Sequence, residues 1–264
     1  MDKLHYIDQP SVNYQDAVMV PKYIILHCIG GTEANALTLL TKPPPIGGGV
    51  SAHYFIPQNQ PNTVYRLVPD NRIAYHAGVS AWGTDSNLNH CAIGIELHCP
   101  NYANALHNKL DWFHFEPFNE SQIATCITLI QTLQQKFTIK PKNILAHSDI
   151  APWRINPQGE VILGKTDPGA TFPWERLAKQ GIGIWPKQTQ LQPTRDRDIS
   201  CKNIQQLLKK YGYNVPISGS LDTATRHVIR AFQLHYMPND SDGMISERML
   251  ALLEHLLDAS SELI

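Results

Sequence analysis

The chain has almost no net charge: 22 lysines and arginines face 23 aspartates and glutamates, a balance of −1 over 264 residues with histidine neutral. Such a balance gives no electrostatic case for nucleic acid or for an anionic membrane surface as partner. No run of about 18 apolar residues occurs, so no segment is expected to span a bilayer. The start, Met1-Asp2-Lys3-Leu4-His5-Tyr6, lacks the basic and apolar regions of a secretory signal. That pattern fits a cytosolic chain or one parted from its targeting segment. The five cysteines, Cys28, Cys91, Cys99, Cys126 and Cys201, are scattered and odd in number, which is no disulfide framework. Nor does any CxxC pair mark a structural metal knuckle. Charged residues are sparse at 17%, but the 42% hydrophobic content suffices for an ordinary core. The length admits one large domain, or a medium one with a small one.

What is present concentrates between Ala146 and Trp174. Apolar Ile144, Leu145 and Ala146 lead into His147, which predicts a short buried strand delivering a histidine to a loop. Lys165-Thr166-Asp167-Pro168-Gly169 follows a polar excursion, and its Pro-Gly turn orients the Asp167 carboxylate. A histidine and a carboxylate on rigid supports, with Lys165 two residues upstream, suggest a metal site with an electrophilic helper. Alternatively, His147 is a satisfied core histidine and Asp167 a turn former.

Other parts of the chain supply candidates for completing such a site. Tyr23-Ile24-Ile25-Leu26-His27 reads as a central strand ending in a histidine, with Gly30-Gly31 turning away at once. Strand ends in open sheets commonly face a cleft, so His27 is a plausible second ligand beside His147. Ala92 to Leu97 is a strand whose Glu96 interrupts an apolar run. A buried carboxylate is expensive unless paired, metal-bound or functional, the alternative being a half-exposed outward Glu. His90-Cys91 and His98-Cys99 cannot share an ion, because the strand between them holds them roughly 25 Å apart. Ser51 to Ile56 and Thr63 to Val68 predict a hairpin, with His53 in the core or supporting a ligand. The loop Ala74 to Trp82 offers His76 and Trp82, either lining a groove or forming an ordinary surface turn.

Asn119 and Gln122 fit a capping box opening a helix with Ile123, Cys126, Ile127, Ile130, Leu133 and Phe137 on one face, ended by Pro141. Composition shifts over 181–198, which reads as a linker. Three short helices follow: Ile204, Leu207, Leu208 and Tyr211 on the first, stopped by Gly212; Ala224, Val228, Ala231 and Phe232 on the second; Met249, Leu250, Leu253 and Leu257 on the third. A bundle of this size is small but feasible. The division expected is 1–180, a linker at 181–198, and a helical domain at 199–264.

The His27 strand end, the Gly94 to Leu97 strand, His147 to Pro152 and Lys165 to Gly169 together resemble the zinc-dependent N-acetylmuramoyl-L-alanine amidases of the AmiD type, within the superfamily of amidases and peptidoglycan recognition proteins. The resemblance covers about residues 20 to 180. It extends to Ser51-Ala52-His53-Tyr54, His76-Ala77-Gly78 and Phe172-Pro173-Trp174, and the tail resembles a three-helix peptidoglycan-binding domain. It implies an α/β fold, a mixed central β-sheet flanked by helices, with a small three-helix C-terminal domain. It further implies zinc held by His27, His147 and Asp167, Glu96 as general base, Lys165 as polarising cation, and His76, Trp82 and Arg154 in substrate binding. The implied reaction is hydrolysis of the amide between N-acetylmuramic acid, or its 1,6-anhydro form, and L-alanine.

Two local departures stand out. The family usually places an arginine directly before the lysine, whereas Ile155 to Gly164 here separates Arg154 from Lys165, an insertion able to form a flap. Ala52 also stands where several relatives carry a tyrosine. Recognition members of the superfamily lose a ligand and only bind peptidoglycan; retention of every ligand candidate and Glu96 favours hydrolysis. A protein-directed zinc peptidase is disfavoured because HExxH is absent. A wall-binding tail implies the cell envelope, periplasm or outer-membrane face, with the cytoplasm as the alternative. A monomer acting on peptidoglycan or muropeptides is expected.

Overall fold

The computed structural model describes residues 3–99, 117–186 and 197–261. Two compact units emerge, one of residues 1–78 and 87–146, the other of residues 79–86 and 147–264.

The first unit is built on a six-stranded mixed sheet. Its strands include β1 (His5–Asp8), β3 (Tyr23–Ile29), β4 (Tyr54–Ile56), β5 (Thr63–Arg66), β9 (Ala92–His98) and β10 (Ile144–Ala146), in the order β1-β5-β4-β9-β3-β10. The β4–β5 pair is antiparallel and the other neighbours are parallel. Strands covered on both faces read as continuous apolar runs. Accordingly Ile24, Ile25, Leu26, Ile93 and Ile95 at the centre are fully buried. A second pair, β2 (Tyr14–Val18) with β6 (Arg72–Ala74), is antiparallel.

Among the described residues, two helices cover this sheet. Glu33–Thr41 begins at Thr32, whose side chain accepts the Asn35 amide, and its Ala36 and Leu40 pack with Ala52, Phe55 and Leu67. Thr32 followed by Glu33 is the local signal for this start. Glu120–Phe137 starts where expected, with Ile123, Cys126, Leu129, Ile130 and Leu133 buried. The capping box does not form. Asn119 instead donates to Gln58 and Asn59, and the Gln122 amide donates to the carbonyls of Ile56 and His98 at the ends of β4 and β9. Thr138, in a left-handed conformation, ends the helix before Pro141 is reached.

In the second unit are β7 (Ala81–Trp82) with β8 (Asp85–Ser86), a short helical turn at His147–Ile150, a hairpin of β11 (Trp153–Ile155) and β12 (Val161–Leu163), and a helix at Trp174–Ala178. The 155–164 insertion is therefore this hairpin. Three helices complete the unit: Cys201–Tyr211, Thr223–Tyr236 and Glu247–Ser261. Ser200 and Asp222 cap the first two through side-chain oxygens. Ile204, Leu208, Val228, Phe232, Met249 and Leu253 are fully buried, as the sequence stripes predict. Most of the expected linker, residues 187–196, lies outside the described residues. No described helix is long and apolar enough to cross a membrane.

Candidate metal centre

The sheet register assembles the centre from strand ends. Parallel pairing of β3 with β9 sets His27 opposite Glu96. Directly paired residues of a sheet project from the same face, so the histidine and the carboxylate are neighbours there. On the other side of β3, Ala146 of β10 pairs with Leu26, and His147 is the next residue along. These positions are the C-terminal ends of parallel strands, where open α/β sheets place ligands.

Asp167 reaches the site on a return segment tied to the His147 turn. Backbone bonds run from the Ser148 amide to the Asp167 carbonyl at 3.0 Å and from the Lys165 amide to the Ala151 carbonyl at 2.8 Å. His147 Nδ1 lies 3.0 Å from Asp167 Oδ2. His27, His147 and Asp167 are all buried, and each offers one ligand atom, the three atoms lying within 4.8 Å of one another. A tetrahedral ion with bonds of about 2.0–2.1 Å holds its ligand atoms roughly 3.4 Å apart, a spacing inside that 4.8 Å limit. Two imidazoles and one carboxylate form a donor set suited to a divalent metal ion.

The ligating nitrogen of His27 follows from its hydrogen bonds. His76 Nε2 lies 3.2 Å from the carbonyl oxygen of Ala92, which can only accept, so Nε2 carries the proton. In the neutral ring Nδ1 then accepts, and His27 Nε2, 3.0 Å away, is its donor. His27 Nδ1 is thereby left with the lone pair, the form a metal requires. Gly94 makes this possible. A Cβ there would stand 2.4 Å from His76 Cγ, so only glycine lets the ring lie on β9.

His53 supports from behind. The Gly94 amide donates to its Nδ1 at 3.0 Å, and its Nε2 donates to the Arg72 carbonyl at 2.9 Å. Burial lowers its pKa from 6.5 to about 4, so the ring is neutral.

The remaining sequence candidates differ in exposure. Glu96 is half-buried on β9, while Lys165 and Arg154 are exposed, the latter on β11. His76 and Trp82 are only 7% and 6% exposed. Trp82 packs edge-on against Tyr213 with ring centres 4.8 Å apart, and against Tyr211 at 5.9 Å. The bond from His76 to His27 was missed in the sequence, where the glycine inside a strand was its available signal.

Comparison with known proteins places this geometry. The sequence profile of N-acetylmuramoyl-L-alanine amidase matches residues 17–170, and that of a peptidoglycan binding domain matches residues 199–253. N-acetylmuramoyl-L-alanine amidase AmiD of Escherichia coli is 33% identical over 247 residues, spanning 90% of this chain and 82% of that protein. The solved complex of that E. coli amidase with the substrate anhydro-N-acetylmuramic acid-L-Ala-D-gamma-Glu-L-Lys has a TM-score of 0.74 at 33% identity, covering 93% of this chain and 91% of that one. The structure of AmpDh3 from Pseudomonas aeruginosa gives 0.73 at 28% identity, with 93% and 94% covered. The chain belongs to the N-acetylmuramoyl-L-alanine amidase family.

Proposed function

We propose that this chain is a zinc amidase cutting the bond between the lactyl group of N-acetylmuramic acid, in its intact or 1,6-anhydro form, and the L-alanine of the stem peptide. The buried His27–His147–Asp167 cluster, with Glu96 in register beside His27, carries the reading. Similarity to an amidase solved with an anhydro-muropeptide substrate supports the choice of bond.

His27, His147 and Asp167 would hold the ion and leave a coordination position open. When bound, zinc supplies a Lewis acid that lowers the pKa of water from about 15.7 to about 7. Glu96 would take the proton of the attacking water on a carboxylate oxygen and pass it to the departing L-alanine nitrogen, a contribution of roughly 10²- to 10⁴-fold. Its half-buried strand position limits competing hydration of that carboxylate. Lys165, exposed two residues ahead of Asp167, would bring positive charge to the carbonyl oxygen as it becomes anionic. His76 fixes the His27 tautomer, and exposed Arg154 on the hairpin is assigned to muropeptide binding.

The three C-terminal helices would attach the enzyme to the wall polymer, which supports the cell envelope as its place of action. The test is hydrolysis of a soluble anhydro-muropeptide and of sacculi, with and without chelator, the fragments identified by mass. Asp167→Ala is expected to lose zinc and turnover together; full zinc occupancy with full turnover in that variant would overturn the assignment.

A further inference from the structure

Asp149 is a buried carboxylate that the proposed reaction does not use. It is the third residue of the helical turn opened by His147 and is 0% exposed. A charge removed from water needs strong partners, and two of them come from the C-terminal helical region. Tyr213 Oη donates to Asp149 Oδ1 at 2.6 Å, and His235 Nδ1 donates to Oδ2 at 2.7 Å. Burial and the adjacent Asp149 hold the Tyr213 phenol protonated, well above its ordinary range.

The clamp is itself rigidly built. The His235 ring is stacked between Trp174, with centres 3.8 Å apart, and Tyr236, at 4.1 Å. Tyr236 shares a 2.7 Å hydrogen bond with Tyr211, and Trp82 packs against Tyr211 and Tyr213. Gly212 sits so close to Trp82 that a Cβ would stand 2.5 Å from its ring. The Gly83 amide donates to the Gly212 carbonyl at 2.7 Å, and Trp153 Nε1 donates to the Asn214 carbonyl at 3.1 Å. Independent tethering needs none of these contacts. The contacts at Asp149 and Trp153 fall on the segment that follows His147.

We propose that Tyr213 and His235 are positioning residues of the metal centre: by clamping Asp149 they hold the His147 turn, so the helical region is part of the hydrolytic apparatus as well as a wall anchor. The inference rests on His147 being a ligand. The turn is short: the Ala151 amide returns to the His147 carbonyl, and the Ser148 amide bonds the Asp167 carbonyl. A shift of Asp149 is therefore felt one turn away, at both His147 and Asp167.

The test uses the full chain loaded with zinc. Release to a chromogenic chelator is timed well below the melting temperature, and kcat and KM are measured on a soluble anhydro-muropeptide. His235→Leu removes one donor, Tyr213→Phe removes only a hydroxyl, and His235→Asn returns a donor near the Nδ1 position. Gln205→Leu is the control, because Gln205 bonds Ser218, Ser220 and Thr225 inside the helical region and does not touch Asp149. Loss of a supporting partner commonly weakens metal binding by about 10- to 100-fold. His235→Leu and Tyr213→Phe are expected to release zinc about tenfold faster or more, with kcat reduced and KM little changed. His235→Asn should recover most of this, and Gln205→Leu should release zinc at the parental rate even where it melts earlier. Parental zinc release in both Tyr213→Phe and His235→Leu overturns the proposal, as does a release rate that follows melting temperature through all four variants. A parental chain that retains no zinc overturns the metal reading itself, and this proposal with it.

Discussion

Gly94→Ala tests the histidine relay behind the metal centre with a single added methyl group. The Gly94 backbone lies outside the left-handed region, so alanine meets no conformational penalty there, and the nearest obstacle is the His76 ring. The new Cβ would stand 2.4 Å from Cγ and 2.7 Å from Nδ1 and Cδ2 of that ring. Ordinary carbon contacts lie near 3.5–4.0 Å, so the ring must retreat by roughly 1 Å. His76 Nδ1 now lies 3.0 Å from His27 Nε2, and such a retreat carries the pair beyond hydrogen-bonding distance. Two costs follow. Overpacking removes about 1–3 kcal/mol of stability. Loss of the partner that fixes the ligand tautomer weakens zinc binding by about 10- to 100-fold, or roughly 1.4–2.7 kcal/mol. Zinc affinity by chelator competition and a melting curve of the metal-free chain measure the two separately. The double variant Gly94→Ala with His76→Ala removes the clash, so stability should recover while zinc affinity stays low. Zinc affinity within about twofold of the parent in Gly94→Ala would refute the relay.

Glu96→Gln is expected to keep zinc and fold while losing at least about two orders of magnitude in rate; an unchanged rate would remove Glu96 from proton transfer. For His53, the folded pKa of about 4 lies below the unfolded value of 6.5, so only the unfolded chain takes up this proton between those values. Its contribution is therefore complete above pH 6.5 and falls as pH drops towards 4, by about 3 kcal/mol in all. In metal-free protein, His53→Gln should lose less stability than the parent across that window, and parallel curves would contradict the burial argument. Truncation after Gln180 removes Tyr213 and His235, so it should lower the melting temperature and slow hydrolysis of a soluble muropeptide. A purely tethered anchor would spare the soluble substrate.

Much of the site was legible because its signals are local. An apolar run leading into His27 and another ending before His147 require strands; the first runs on two residues past His27 to Ile29, and His147 directly follows the second. Glu96 was visible as a carboxylate inside a strand, and Asp167 as the residue before a Pro-Gly turn. The three tail helices followed from their apolar stripes and from Gly212. Local rules also misled. Asn119 and Gln122 match a capping box, but stronger demand came from unpaired backbone groups at Gln58, Ile56 and His98, distant in sequence.

The sequence by itself thus determined the strands, the tail helices and the chemistry-bearing residues, since each depends on residues within one element or turn. Tertiary structure alone decided which of these residues meet. His27 faces His76 across 49 residues, and Asp149 meets His235 across 86. No periodicity encodes such a pairing: it follows from strand register and from burial of a charge that must find donors wherever the fold brings them.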